Sequence, residues 1–458
     1  MTLGPMPSQI PVDALDSTST EYYADKMLRY DALYEGGDKF DKKKREFLPK
    51  RPIELSQERA GKGNAHYDSR LASAFYTNYA GGIIDWFSAK IVENGPKVVV
   101  GDGVSGEPKE YWESLNTDAD GLGNPLITIC RWAAREVIVN LRAYFSVNLP
   151  DDESLDGRIS LLDAVTVNDW DSDDRGSLNW IRRTTKECVR NSSEPWKEPK
   201  IEAHYWTFYD NEQIIVYRAE REIGAKQWPS GAMATKIEEK THEFGLPIFD
   251  IRSDQSLWIM NRIEQPIVKL FRREAALNWY LDSLSYQMMI LNLETPGNYT
   301  AIPFTPMGAL VLGLNEKAGF LAPDSGGFKA NFDAVEQSKR SFYESLQILA
   351  KEASAIPQAG RLSGDAVDAM RKPMEVLIGS FAWPIEDALN RLIKALKTHR
   401  REEDIDVKLE GFGRVDVDES EIEELLMKDE GYDGQQAREE DDGPEAKGRS
   451  GESESRAY

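Results

Sequence analysis

The sequence predicts an α+β fold, on three observations. Apolar residues recur at spacings of three and four over 70–92, 125–141 and 253–293, which is the period of a helix with one buried face. Between Ala143 and Arg252 the period changes to short alternating runs of β-branched and aromatic residues separated by polar and Gly/Pro turns. After Glu402 the chain turns strongly acidic and has little to bury.

The chain has 458 residues, 40% hydrophobic and 10% aromatic, enough for a large core and for two or three structural units. Its formal charge is −23, and residues 402–458 carry 21 acidic and 7 basic side chains, so a net −14 of that excess lies in the tail. Cys130 and Cys188 are too few for a disulfide framework or a cysteine metal site and read as apolar thiols. No run of about 18 apolar residues appears, and no opening segment has signal-peptide form, so neither membrane insertion nor secretion is expected.

Residues 1–19, rich in Pro, Ser and Thr, are expected to be flexible. A helical pattern then runs from about Thr20 to Tyr34. The basic cluster Lys42, Lys43, Lys44 and Arg45 reads as a solvated loop before Phe47-Leu48-Pro49. Arg70 to Val92 predicts one amphipathic helix through Leu71, Phe75, Tyr79, Ile83, Trp86, Phe87 and Ile91, stopped by Gly95-Pro96. Shorter and longer helices follow at 110–115 and 125–141, the second opening on Pro125, whose missing N–H is harmless in a first turn.

In the β region, runs such as His204-Tyr205-Trp206-Thr207-Phe208 and Gln213-Ile214-Ile215-Val216-Tyr217 predict an antiparallel sheet. The stretch Asp169 to Asp174 reads as a charged hairpin tip. It fails the calcium-loop pattern, with Asp174 where the glycine belongs and Trp180 where the last glutamate belongs.

From Ser253 a helix is expected to about Leu293, roughly 60 Å long if continuous, with Pro266 breaking or kinking it. Thr295 to Ala330 is crowded with Pro and Gly around short apolar runs and reads as a small strand-and-turn insert. Asp333 and Glu336, at capping-box spacing, predict the next helix start. Pro357-Gln358-Ala359-Gly360 ends that helix, and Ser363-Gly364-Asp365 opens a last long one to about Lys397, bent at Pro373 and Pro384. Short elements are expected over 402–427 and a disordered acidic tail over 428–458.

Catalytic signatures are scarce, and the chain reads as no enzyme. Gly61-Lys62-Gly63-Asn64 lacks the preceding glycine and the hydroxyl residue of a phosphate-binding loop. His66, His204, His242 and His399 are scattered, and no G-x-S-x-G element occurs. No catalytic, cofactor or metal residue is assigned. Any of 79 acidic side chains could supply a carboxylate pair, so a carboxylate-dependent hydrolase stays open as a rival, to be favoured by a compact, accessible carboxylate cluster with a pocket.

The order of these elements resembles the tailed-bacteriophage portal protein family of siphophage type. The local text agrees in Phe47-Leu48-Pro49-Lys50-Arg51-Pro52, in Tyr67-Asp68-Ser69-Arg70-Leu71-Ala72-Ser73-Ala74-Phe75 with Asn78, and in Leu246-Pro247-Ile248 leading into Ser253-Asp254-Gln255-Ser256-Leu257. The resemblance covers about residues 20–400 and implies portal architecture. Residues 20–252 would be an α+β wing, 253–294 a stem helix with its kink at Pro266, and 295–332 a compact β-containing clip. A second stem helix would take 333–352, a tunnel loop 353–365, and a wing or crown helix 366–401. With little helical sequence after His399, a full crown is not expected.

By this resemblance the chain forms a ring of itself, twelve subunits being typical of the family, at one capsid vertex of the virion, assembled in the host cytoplasm. Double-stranded DNA would pass through during packaging and ejection. The terminase large subunit, a head–tail adaptor and capsid or scaffolding protein would be its partners, with no membrane and no cofactor. One basic side chain per subunit becomes a ring of charge around such an axis. Arg361, Lys351, Lys339 and Arg340 are therefore the candidate DNA-channel residues. Another virion structural protein, a minor head or connector component, is the nearer rival reading.

Overall fold

The computed structural model describes residues 4, 6–19, 22–61, 63–148, 156–173, 177–189, 201–225, 227–242, 245–253, 258–285, 289–293, 309–313, 325–345 and 364–412. All lie in the first of two units, Met1–Gly413; the second, Arg414–Tyr458, lies outside the described residues and takes the predicted tail with it.

The chain opens with β1 (Gln9–Pro11) and α1 (Val12–Leu15), then α2 (Ala24–Glu35), α3 (Gly37–Phe47), α4 (Pro52–Arg59), α5 (Ala65–Ser73) and α6 (Tyr79–Ile91). Next come β2 (Lys97–Val100), α7 (Glu107–Ser114), α8 (Leu126–Asn140), β3 (Arg142–Asn148), β4 (Arg158–Leu162) and a 3₁₀ turn (Ala164–Thr166). The β region continues through β5 (Val167–Ser172), β6 (Leu178–Val189), β7 (Ile201–Tyr209), β8 (Gln213–Glu222), β9 (Met233–Thr241) and β10 (Ile248–Arg252). It is followed by α9 (Ile259–Ser285), β11 (Met289–Leu293), β12 (Ala309–Gly313), α10 (Ser325–Ser345), α11 (Gly364–Arg400) and β13 (Val407–Glu410).

The expected single sheet region is divided. A six-stranded antiparallel sheet runs β1-β9-β8-β7-β6-β5, and a separate three-stranded sheet runs β10-β3-β4. The second packs on α8 and α11, and its residues Ala143, Phe145 and Ile251 join the helical core. A small cluster of Tyr144, Leu162, Ala164, Val167, Ile181 and Ile248 bridges the two sheets.

One core joins the helices. Phe40 stacks on Tyr76 at 4.1 Å between ring centroids and meets Phe271 edge-on at 5.0 Å, so α3, the loop before α6 and α9 share one aromatic contact. The α11 residues Phe381, Ile385, Leu389, Leu392 and Leu396 lie in this same core. β13 closes it by pairing antiparallel with β2, with Gly411 next to the pair at a φ of +91°, where a Cβ would come 2.4 Å from the Gly95 carbonyl oxygen.

Several expectations are corrected. Residues 6–19 are docked rather than flexible: β1 extends the sheet edge at β9, and Val12 and Leu15 are buried against Trp206, Ile215 and Tyr217. The basic cluster Lys42–Arg45 lies in α3, because Phe40 and Phe47 bury one face of that helix and leave the charges on the other. The helix expected over 70–92 is two, α5 and α6, broken at Ala74–Asn78. There the Asn78 side chain caps α6, accepting from Gly81 N at 2.8 Å while donating to Tyr34 O at 2.7 Å, and Phe75 points to solvent. Of the stretch read as a charged hairpin tip, Asp169 to Ser172 belong to β5, with Asp169 3.3 Å from the buried Arg182, while Asp173, bonded to Ser177, lies in the connection to β6.

α9 runs unbroken through Pro266, since Ile263, Ile267 and Val268 on both sides of the proline are buried and outweigh its helix-breaking tendency of about 3 kcal/mol. It ends at Ser285, and Met289–Leu293 form a strand paired parallel with β12 instead of a last helical turn. α10 begins at Ser325 rather than Asp333, Ser325 being itself a residue type that favours helix starts. The rest of the Pro/Gly-rich insert and the loop 353–363 lie outside the described residues.

Candidate functional site

Two places gather chemistry-bearing side chains. The first is the junction of α6, α9 and α10. Arg273 of α9 reaches across to α10, where Nη1 donates to the Ala334 carbonyl and, at 2.6 Å, to the hydroxyl of the buried Ser338. One residue on, Glu274 accepts the Tyr79 hydroxyl of α6 at 3.1 Å. Burial pushes the Glu274 carboxyl above its usual range, and the Tyr79 phenol is pushed up by burial and by that carboxylate.

Lys339 belongs to this junction. Its Nζ lies 3.2 Å from Glu336 Oε1 one turn earlier, and its charge acts on Glu274 and Tyr79. Partial burial works to lower its pKa, but the Glu336 bond and the neighbouring Tyr79 and Glu274 leave it raised, so its charge is held by the protein. Arg340, next along α10, is exposed to solvent. Of the four candidate channel residues these two are therefore neighbours with opposite surroundings, while Lys351 and Arg361 lie outside the described residues.

The second place is a cleft of about 290 Å³ beside α8, lined by Asp120, Arg135, Glu136, Ser160 and Asp163 among others. This is a carboxylate cluster with a pocket of the kind a hydrolase would need, and two of its carboxylates, Asp120 and Glu136, bond within the fold. Asp120 accepts from Leu122 N, Asn124 N and the Asn124 amide within its own turn. Glu136 accepts from Ala164 N and the Asn140 amide, both at 3.0 Å. The Ser160 hydroxyl pairs with that of Ser146 at 2.7 Å. Among the described residues no group of three His, Cys, Asp or Glu side chains could hold a metal ion, and no helix is long and apolar enough to cross a membrane.

Nothing in the sequence marked Arg273 or Glu136, whereas Glu274 stands out there as a charge that interrupts the heptad-like spacing of Leu270, Leu277, Leu281 and Leu284. The spacing of Glu136 and Asn140 puts them on one helix face, but their partners Asp31 and Ala164 come from other elements.

No family model matches the chain, and no curated protein matches it at a significant level. Among solved structures, it is similar to a chain of "Neck of empty GTA particle computed with C6 symmetry", with a TM-score of 0.32 and 11% identity over 80% of this chain and 89% of that one. It is likewise similar to a chain of "Virion of native gene transfer agent (GTA) particle", with a TM-score of 0.31 and 12% identity over the same shares.

Proposed function

We propose that this chain is a structural subunit of a phage-like particle and, more narrowly, its portal, a ring at one capsid vertex through which double-stranded DNA is packed and released. The observation that carries the reading is the course of the three long helices. One face of α9 is buried as far as Ala275, then Ala276 to Trp279 are only half-buried and Leu281 is exposed. The Pro/Gly-rich insert follows, α10 packs back on α9 through Arg273, and α11 re-enters the core that α9 left. A helix pair leaving a body, carrying an insert and returning to it is the course expected of a portal wing, stem and clip.

Self-association is part of the proposal. Trp383, 76% exposed on α11, and Ile53, 65% exposed on α4, are large apolar side chains that a neighbouring copy would cover in a ring. The role is mechanical and non-enzymatic, with terminase, a head–tail adaptor and capsid or scaffolding protein as further contacts in the virion. Electron microscopy of the purified protein tests it. Closed rings with a central channel are expected, and a strictly monomeric species at high micromolar concentration overturns the portal reading. Incorporation into particles without rings would instead mark a minor head or connector component.

A further inference from the structure

Where α2, α8 and the 3₁₀ turn meet, two carboxylates share one amide group. Asn140, fully buried, donates Nδ2 to Asp31 Oδ1 and to Glu136 Oε1, each at 3.0 Å. The same Glu136 oxygen takes the Ala164 N–H at 3.0 Å, at the first residue of the turn that leads into β5. Asp163, one residue earlier, adds a third negative charge acting on both acids. The Asn140 Oδ1 is buried with no hydrogen-bond donor among the described residues, so this small region is crowded with acceptors.

The nearby cations are engaged elsewhere. Arg135 lines the same cleft but turns Nη1 to the Tyr34 hydroxyl at 3.2 Å, and that hydroxyl donates to Asp85 of α6. Lys39 of α3 is paired with Glu35 of α2, and its charge also acts on Asp31 and Asp163 but is not among the groups that act on Glu136. Asp120, across the cleft, is held in its own turn, and Tyr22, whose phenol feels Asp31, donates to the Val165 carbonyl. A proton on Glu136 would both remove one of three clustered charges and supply the donor that the group lacks.

We propose that Glu136 is a proton-operated latch between the helical body and the β region. Protonated, it holds the 3₁₀ turn and the start of β5 to α8 through the Ala164 amide; ionised, its bonds to the Ala164 and Asn140 N–H groups offset only part of the cost of burial and of the Asp31 and Asp163 charges, so it is driven toward the cleft and that attachment loosens. Burial, then the charge of Asp31, place the Glu136 carboxyl at about 7, against an ordinary 4.5. The folded state therefore holds a proton that the unfolded chain has lost between these values. Stability falls as pH rises through that window, and the latch is open above it.

The test compares the full-length protein with Glu136→Gln, which mimics the protonated form, and does not depend on the portal reading. Between pH 5.5 and 8.5 the melting temperature of the unsubstituted protein should drop by roughly 3–6 °C relative to Glu136→Gln. Hydrogen exchange over residues 164–172, corrected for intrinsic rates, should rise about tenfold in the unsubstituted protein alone, the scale of a shift of about one pH unit in protection. Parallel melting curves and equal exchange at both pH values overturn the proposal. Should Glu136→Gln fail to fold, Asp31→Asn serves: it removes the repelling charge, Glu136 ionises more readily, and the exchange transition should move to lower pH. An unmoved transition or one moved upward overturns it.

Discussion

Arg70 and Glu54, sixteen residues apart, form a bidentate ion pair inside the protein. Arg70 Nε donates to Glu54 Oε1 at 2.8 Å and Nη2 to Oε2 at 2.7 Å, both side chains being buried. Arg70 Nη2 also donates to the Pro49 carbonyl at 3.0 Å, and the Arg51 amide donates to Glu54 at 2.7 Å. The pair thus ties α5 to the start of α4 with the polar atoms on both sides answered. Removing one partner leaves a buried charge alone, so Arg70→Leu should destabilise by about 3–5 kcal/mol, whereas Arg70→Leu with Glu54→Leu should recover much of the loss. Urea unfolding of the three proteins measures this.

The same pair sets a pH dependence. Burial pushes Glu54 up, but the Arg70 bonds and the Arg51 amide more than offset it and hold the carboxyl below its ordinary 4.5. Its contribution is complete above that value and is lost as pH falls through the lower, folded-state one. Glu54→Gln should therefore lose stability at neutral pH and show a shallower acid limb below about pH 4.5 in melting temperature against pH.

The docked N-terminal segment predicts a second effect. Tyr217 donates to the Pro7 carbonyl at 2.6 Å, and Val12 and Leu15 fill the face over Trp206. Leu15→Ala should cost about 2–4 kcal/mol, and deletion of residues 1–19 should expose that face and raise binding of an apolar dye. A deletion variant with unchanged melting and dye binding would refute the docking.

Gly81 and Gly411 should reject a methyl group. A Cβ on Gly81 would meet Asn78 Nδ2 at 2.6 Å and Tyr34 O at 2.9 Å, and one on Gly411 would meet Gly95 backbone at a positive φ. Gly411→Ala should cost about 1–3 kcal/mol, with faster hydrogen exchange in β2 and β13, while Gly82→Ala, at an open position, should be tolerated.

Lys339 and Arg340 separate folding from channel contact. Lys339→Glu places a carboxylate beside Glu336 and Glu274 and should lower the melting temperature by several degrees. Arg340→Glu, at an exposed site, should change it little but should reduce DNA packaging if a ring of these side chains faces the channel. Normal filling of particles carrying Arg340→Glu removes that residue from the DNA path.

The sequence by itself determined the elements whose signal is local. Apolar spacing in 125–141 marks the helix that the structure has at Leu126–Asn140, and the alternation in 204–208 and 213–217 marks strands that lie side by side as β7 and β8. These are legible because backbone period alone decides which side chains share a face. The break between α5 and α6, the docking of residues 6–19, the passage of α9 through Pro266 and the partners of Arg70, Lys339 and Glu136 were decided only by tertiary structure. Each depends on which surfaces meet across long separations, and among 79 acidic and 56 basic side chains no spacing in the chain says which carboxylate a buried guanidinium or amide will find.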